Sequence, residues 1–293
     1  VRAPPSGNKE DELGDTGQND GEGRESQAEK EKLNGVLEDA MELYRQRKYD
    51  KAEPLFLQAC AMAASSGLRF EEARSLGNLG NNMKELNRLA EAVEVYEKAL
   101  DIFHQLKDVN RESIILQNAA HALKGLRRYD EAASLMRRRI RLKASNTHVA
   151  DEEFLKVMER KSLQQLVSER LTEAATLSAR GKHVEAIEVL SEKAVPLCAH
   201  SDPFLFTELG KVHASIAKCK QAMGSKIADV ISSYETALEN FRKVSSSSSQ
   251  NEARVIDELA PLYISKQHPE KALKLLERKV EIVEDKDERA ALI

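Results

Sequence analysis

The fold is decided by residues 73–106, which read ARSLGNLGNNMKELNRLAEAVEVYEKALDIFHQL. Four positions in the first half share one helix face by their spacing: Leu76, Leu79, Gly80 and Met83. Asn87 and Arg88 then interrupt the apolar pattern. Six positions in the second half form another helix face: Leu89, Ala92, Val93, Tyr96, Ala99 and Leu100. Because so short a segment separates the two faces, the stretch predicts two antiparallel helices that pack side by side.

This helical hairpin recurs along the chain. Ala92 is preceded by Ala52 and followed by Ala132, each 40 positions away, and Tyr96 is matched in the same way by Phe56. The order of Leu-Gly, then alanine, then an aromatic residue resembles the tetratricopeptide repeat. The long period is similar to that of kinesin light chains and of cell-polarity adaptors that bind G-protein subunits. The resemblance implies an all-α fold, a right-handed superhelical solenoid of antiparallel helix pairs.

Three segments of different character are predicted. Residues 1–32 contain glycine, proline, serine and charged residues with almost no large apolar ones, which indicates a disordered acidic tail. Residues 33–146 are expected to hold three regular repeats. Residues 147–293 are expected to hold three irregular ones, because the next equivalent of Ala132 is Ala186, 54 positions further on.

The repeat register also gives local expectations. The first helix is expected to bury Val36, Ala40 and Leu43. Arg139 stands where the other repeats carry alanine, so we expect it to loosen packing against the segment that follows. A helix stop is predicted at 145–147, and the residues after it are expected to form one long helix or two.

The charge distribution argues against a nucleic-acid-binding surface. Residues 1–32 contain nine acidic and five basic residues, and the whole chain contains 49 and 45. Subtraction leaves 40 of each for the helical body, which therefore has no excess positive charge. No apolar run is long enough to span a bilayer. We predict no nucleic-acid partner, no membrane insertion and a cytoplasmic location, which the 3 cysteines without close pairing also fit.

The sequence contains no motif typical of catalytic chemistry. It lacks G-x-G-x-x-G, a phosphate-binding loop, H-E-x-x-H and G-x-S-x-G. The 7 histidines are scattered without the spacing of metal ligands. We therefore predict no catalytic residue, no metal and no cofactor, and a protein that is not an enzyme and acts by binding other proteins.

The resemblance implies a peptide-binding groove, because the first helices of successive tetratricopeptide repeats line a concave surface. Eight residues form the predicted site: Arg74, Asn78, Asn81, Lys84, Gln117, Asn118, His121 and Lys124. Asn78 and Asn118 are equivalent positions, so we expect a two-rung ladder of amides along an extended peptide. The equivalent positions in the first repeat include Leu37, Glu38 and Met41. The basic members of the site favour an acidic peptide from a partner, or the chain's own acidic tail.

The sequence leaves several functions open. Repeats that hold a chaperone's C-terminal carboxylate carry a lysine where this chain has Gly77, and a basic pair where it has Ser168 and Thr172. The leading interpretation is a scaffold or adaptor that binds an extended peptide, with the basic face around Arg137 and Arg141 as a second candidate site. A structural subunit held through its convex face and ends, and a regulatory domain of a larger protein, are the alternatives. The sequence specifies neither the partner nor the oligomeric state.

Overall fold

The computed structural model describes residues 19–143, 149–199, 205–244 and 249–291, and every regular element in these ranges is a helix. The all-α prediction is therefore confirmed. The chain divides into two compact units, Val1–Leu155 and Lys156–Ile293. The first seven helices are α1 (Asn19–Arg45), α2 (Tyr49–Ser65), α3 (Arg69–Glu85), α4 (Leu89–Gln105), α5 (Val109–Gly125), α6 (Tyr129–Leu142) and α7 (Val149–Ala179). The others are α8 (His183–Glu188), α9 (Val195–Ala199), α10 (Phe206–Ala222), α11 (Ile227–Arg242), α12 (Ser249–Ser265) and α13 (Pro269–Ala291), and a π-helical turn, Val189–Ala194, joins α8 to α9.

Helices in unit 1 follow each other every 20 residues. Five of them begin at Tyr49, Arg69, Leu89, Val109 and Tyr129. The turn before each of these five helices contains a residue with positive φ, namely Arg47, Gly67, Asn87, Lys107 or Arg127. In the third turn the Arg88 N–H donates to the Met83 carbonyl at 2.9 Å, and the Asn87 N–H donates to the Lys84 carbonyl at 3.0 Å. This Schellman pattern ends a helix, and its recurrence at every turn explains the regular spacing.

Small residues allow the paired helices to approach closely. Ala52, Ala92 and Ala132 are completely buried. Gly80 lies against the ring of Tyr96, where an added Cβ would be 2.6 Å from Cε1. These contacts confirm the predicted repeat register, in which one helix supplies a gap and the other fills it.

The prediction of a disordered tail over residues 1–32 is wrong for residues 19–32, because α1 begins at Asn19. Residues 1–18 lie outside the described part of the chain. Lys30 Nζ is 2.9 Å from Oε1 of the buried Glu71 on α3, so the segment predicted as tail takes part in helix packing. The composition misled the prediction, because glutamate, lysine and alanine are common in disordered segments and are also strong helix formers.

The buried face of α1 also differs from the predicted one. Leu33, Leu37 and Ala40 are buried, whereas Val36 and Leu43 are half-buried. The predicted face is therefore rotated from the observed one, and Leu37, which was expected in the groove, is buried in the core beside the cavity between α1 and α3. A helix with apolar residues at 33, 36, 37 and 43 offers two plausible faces, and packing against α2 selects one of them.

Arg139 does not loosen the structure as expected. Its side chain is buried, and Nη2 lies 3.2 Å from Oδ2 of Asp151 at the start of α7. This ion pair ties α6 to α7. The helix stop predicted at 145–147 lies outside the described residues, but α6 ends at Leu142 and α7 begins at Val149. Of the two options left open for the next segment, a single long helix is observed, Val149–Ala179.

Unit 2 repeats the packing of unit 1 in α10–α13. Gly210 on α10 lies against the ring of Phe241 on α11, where an added Cβ would be 2.5 Å from Cε1. Tyr234 and Ala237 on α11 are completely buried in the same core. The close contact between a glycine and an aromatic ring is therefore common to both units.

Candidate functional site

Four of the eight predicted site residues line one cavity between α3 and α5. The cavity has a volume of about 160 Å³, and Arg74, Asn78, Asn81 and Asn118 are among its lining residues. Gly77 is buried at the same place, and a Cβ added there would lie 2.8 Å from Cδ1 of Ile115. A lysine at this position, as in carboxylate-binding repeats, would therefore collide with α5.

The amides in this cavity are not arranged as the predicted Asn78–Asn118 ladder. Asn118 Nδ2 donates to Oδ1 of Asn81 at 3.0 Å. The Tyr96 hydroxyl donates to the same oxygen at 2.6 Å. Asn118 is thus paired with Asn81, one helical turn beyond its sequence equivalent Asn78. The cavity therefore contains two separate amide groups: Asn78 alone, and Asn81 hydrogen-bonded to Asn118.

Asn78 differs from the other two amides in its hydrogen bonding. It is half-buried, and within the described part of the chain its side chain has no hydrogen-bond partner. It lines the cavity between α3 and α5 and also a second cavity of about 520 Å³ between α1 and α3. Arg74 lines both cavities as well, and its Nη2 donates to Oδ1 of Asn34 on α1 at 2.9 Å. We call the two cavities together the N-terminal groove.

The remaining four predicted residues do not line these cavities. Lys84, His121 and Lys124 lie about one turn beyond the Asn81–Asn118 pair. His121 is exposed overall, but partial desolvation of its imidazole lowers its pKa first, and the nearby Lys124, Lys84 and Arg139 lower the pKa further. Lys84 and Lys124 therefore form a cationic cluster at one end of the groove, with the neutral imidazole of His121 beside them. Gln117 is half-buried and makes no hydrogen bond among the described residues.

The sequence reading missed Phe154 at this cluster. The ring of Phe154 on α7 lies 4.7 Å from the ring of His121, centroid to centroid. Lys124 Nζ lies over the Phe154 ring at 5.5 Å. The pattern of α7 indicated a helix but gave no sign of this contact, which depends on how α7 packs against α5.

The other end of the groove is acidic. Glu38, Asp39 and Glu42 on α1 line the larger cavity, together with Arg45. The repeat register predicts Glu38 as a groove position of the first repeat, but it does not predict that this end of the groove is acidic. The groove is therefore polarised, with carboxylates along α1 and lysines in the last turns of α3 and α5.

Within the described residues we find no sign of metal or membrane chemistry. No group of three or more histidine, cysteine, aspartate or glutamate side chains is placed to hold a metal ion. No described helix has both the length and the hydropathy needed to cross a bilayer. Cys60 and Cys219 are free thiols, and burial raises the pKa of Cys60 and of Cys198 to about 12, which disfavours reactive thiolates.

Family comparison agrees with this architecture. Residues 40–105 and 71–145 both match the family model described as tetratricopeptide repeat. Residues 40–145 are tetratricopeptide repeats. The matched segment runs from α1 through α6 and contains Arg74, Asn78, Asn81 and Asn118 of the groove. A sequence comparison with curated proteins gives no match.

Solved structures that are similar to the chain match it at low identity. The TPR2AB domain of yeast Sti1, in a complex with pHSP90, is 11% identical over 89% of this chain and 95% of that one, with a TM-score of 0.41. A putative kinesin light chain from Podosopora anserina is 17% identical over 74% and 98%, with a TM-score of 0.38. BtubC from P. vanneervenii is 16% identical over 89% and 92%, with a TM-score of 0.34.

Proposed function

We propose that this protein is a non-enzymatic scaffold or adaptor whose N-terminal groove binds an extended segment of a partner protein. The observation that carries the proposal is Asn78. Its half-buried amide lines both cavities of the groove and has no hydrogen-bond partner within the described residues. A primary amide donates and accepts at once, so it can pair with a peptide N–H and C=O whatever the peptide's side chains are.

The spacing of the amides supports an extended ligand. Packed helices lie about 8–10 Å apart, and an extended chain rises about 3.3 Å per residue. A peptide that crosses α3 and α5 would therefore pass one of these asparagine side chains about every third residue. Asn78 would bind one residue of such a peptide, and the free donor and acceptor capacity of Asn118 would bind another.

The charges of the groove supply the selectivity in this proposal. Lys84 and Lys124 would attract carboxylates at one end of the ligand. Glu38 and Glu42 would disfavour them at the other end. The ligand is accordingly acidic at the α5 end and neutral or basic at the α1 end, which refines the uniformly acidic peptide expected from the sequence.

A peptide-library selection against the full-length chain tests this function. The selected peptides are labelled, and their affinity is measured by fluorescence polarisation for the parent protein and for Asn78→Ala. We expect a loss of about 0.5–1.5 kcal/mol, or about 2- to 12-fold in affinity. Asn110→Ala, an exposed asparagine on α5 outside the groove, is the matched control. Equal affinities of a folded Asn78→Ala protein and the Asn110→Ala control would contradict the proposal.

A second candidate function is that of a structural subunit, which one feature of α13 favours. Four large apolar side chains with helical spacing are exposed on this helix: Leu273, Leu276, Val280 and Val283. Such a stripe is typical of a face that packs against another protein. Leu273→Glu/Val280→Glu should abolish co-purification of a stable complex from native cells if this function is correct. Asn78→Ala should leave that complex intact, so the two functions are distinguishable.

A further inference from the structure

A second cavity with a different chemistry lies in unit 2, between α11, α12 and α13. Its volume is about 640 Å³. Four of its lining residues are apolar or aromatic: Leu238, Leu259, Tyr263 and Leu275. Four others are basic, Arg242, Lys243, Lys271 and Lys274, and two are acidic, Glu235 and Glu239. We call this the α11–α13 cavity.

The ion pairs around the cavity leave two lysines without a carboxylate. Arg242 Nε donates to Oε1 of Glu252 at 2.9 Å, and Lys243 Nζ lies 2.8 Å from Oε1 of Glu239. Glu235 accepts a hydrogen bond from the Tyr263 hydroxyl. Lys271 Nζ lies over the Tyr263 ring at 5.2 Å. Among the described residues neither Lys271 nor Lys274 has a carboxylate partner.

Comparison with unit 1 shows that this basic character is not a property of the repeat. Glu252, buried in the first turn of α12, is paired with Arg242 of α11 and lies 3.6 Å from Arg278 of α13. Glu112, buried in the first turn of α5, accepts from Arg138 Nε of α6 at 3.0 Å. The pairing of a buried glutamate in one helix with an arginine of the next is therefore common to α12–α13 and α5–α6.

Equivalent positions can be counted from these two buried glutamates. Lys271 lies 19 residues after Glu252, and Glu131 lies 19 residues after Glu112. By the same count Lys274 corresponds to Ser134. An acid and a hydroxyl in one unit are thus replaced by two lysines in the other, while the ion pair that holds the helices is kept. The fold does not require these lysines, which points to a ligand.

We propose that the α11–α13 cavity binds a segment of a partner protein in which one large apolar side chain is flanked by carboxylates. The apolar side chain would pack against the half-buried Leu275, above Leu238 and Leu259, which are already buried in the core. The carboxylates would pair with Lys271 and Lys274 at the rim, where no described carboxylate is paired with either lysine. Apolar burial supplies affinity, and the charges orient the segment and exclude basic ones. The site lies in unit 2 and does not depend on the function of the N-terminal groove.

The test uses the full-length chain and a synthetic peptide as probe. The peptide has one central leucine, two glutamates on each side and glycine-serine ends, and it carries a fluorophore for polarisation measurements. A second peptide has alanine in place of leucine, and a third has glutamines in place of the glutamates. We expect the leucine–glutamate peptide to bind, and each of the other two to bind about tenfold more weakly or less.

The protein variant replaces the two lysines by the residues that unit 1 carries at these positions, Lys271→Glu and Lys274→Ser. Since unit 1 folds with them, we expect a cooperative circular-dichroism melting curve, with at most the small loss of stability due to the missing Lys271–Tyr263 contact, and a loss of affinity of about tenfold or more. Lys211→Glu/Lys226→Ser, with the same change of charge at exposed positions outside the cavity, should keep the affinity within about twofold.

Three results would overturn the proposal. One is an unchanged affinity of the folded Lys271→Glu/Lys274→Ser protein. Another is equal binding of the alanine and leucine peptides, which would describe a general anion-binding surface. The third is no binding of the leucine peptide up to about 1 mM. Asn78→Ala should leave the affinity for this probe unchanged. The proposal for the α11–α13 cavity can therefore be rejected without rejecting the proposal for the N-terminal groove, and the reverse also holds.

Discussion

The hydroxyl of Tyr96 donates a hydrogen bond of 2.6 Å to Oδ1 of Asn81, and this bond connects the core of a repeat to the candidate groove. Tyr96 is completely buried, and burial raises the pKa of its hydroxyl, which therefore stays protonated as a donor at neutral pH. Asn81 Oδ1 also accepts from Asn118. The orientation of the Asn81 and Asn118 amides is thus fixed by Tyr96, a core residue that also packs the helix pair together.

Tyr96→Phe tests this connection. The substitution removes one of the two donors to Asn81, so we expect a loss of about 0.5–1.5 kcal/mol in the free energy of unfolding, measured by urea denaturation. Tyr44→Phe is the control, because the Tyr44 hydroxyl makes no hydrogen bond among the described residues. It should change the free energy of unfolding by less than about 0.5 kcal/mol. A larger loss for Tyr44→Phe than for Tyr96→Phe would contradict the role given to this bond.

Glycine at position 80 is required by contact and not by backbone conformation. A Cβ added to Gly80 would lie 2.6 Å from Cε1 of Tyr96, whereas one added to Gly35 of α1 meets no atom within 4 Å. Gly80→Ala should therefore destabilise the protein by about 1–3 kcal/mol. Gly35→Ala should stabilise it by about 0.5–1 kcal/mol, because alanine favours the helix where space is free. Stabilisation by both substitutions in thermal melts would show that the helices separate easily at Tyr96.

Ala92 and Ala90 give a second matched pair. Ala92 is completely buried between helices, and Ala90 is exposed on the same helix. Ala92→Leu should lower the free energy of unfolding by about 1–3 kcal/mol through overpacking. Ala90→Leu should change it by less than about 0.5 kcal/mol. Equal melting temperatures for the two variants would be inconsistent with the repeat register.

The repeat register could be predicted because it depends on local pattern. The helical period, the positions of the small residues and the turn can all be recognised within a short stretch of sequence, as Gly80, Asn87 and Ala92 show. The groove amides could not be predicted to the same degree. Asn78 and Asn81 lie one turn apart on one helix, and the pairing of Asn118 with Asn81 depends on the buried Tyr96 hydroxyl of another helix.

His121 should make the stability of unit 1 depend on pH. Partial desolvation, and then Lys124, Lys84 and Arg139, lower its pKa. The unfolded chain therefore binds a proton at higher pH than the folded protein does. The stability contributed by neutral His121 is fully present above the unfolded-state pKa of about 6.5 and is lost as the pH falls through the folded-state value.

His121→Gln should accordingly show a smaller decrease of the urea midpoint than the parent when the pH is lowered from about 7 to 5. Lys124→Gln removes the largest of the three cationic contributions, so its slope should lie between the two. Lys211→Gln, the same substitution at an exposed position of unit 2, should retain the slope of the parent. Identical slopes for the parent and His121→Gln would exclude this histidine as a source of the pH dependence.

The ion pair between Arg139 and Asp151 should be the most sensitive polar contact described in unit 1. The exposed fractions of the two side chains are 6% and 5%, and Nε and Nη1 of Arg139 are buried without a hydrogen-bond partner. Asp151→Ala would leave a buried guanidinium with no counter-charge. We expect this variant to lose about 3–5 kcal/mol in the free energy of unfolding.

Removing both charges should restore much of that stability, because an ion pair replaced by apolar side chains of similar volume no longer has a desolvation cost. Arg139→Met/Asp151→Leu should therefore be more stable than Asp151→Ala. Urea denaturation of Arg139→Met, of Asp151→Leu and of the double variant gives the coupling energy of the pair. The exposed pair Lys182–Glu185, at 2.8 Å, is the control, and Glu185→Ala should cost less than about 1 kcal/mol. If Asp151→Ala costs no more than Glu185→Ala, the Arg139 charge is solvated in solution and does not tie α6 to α7.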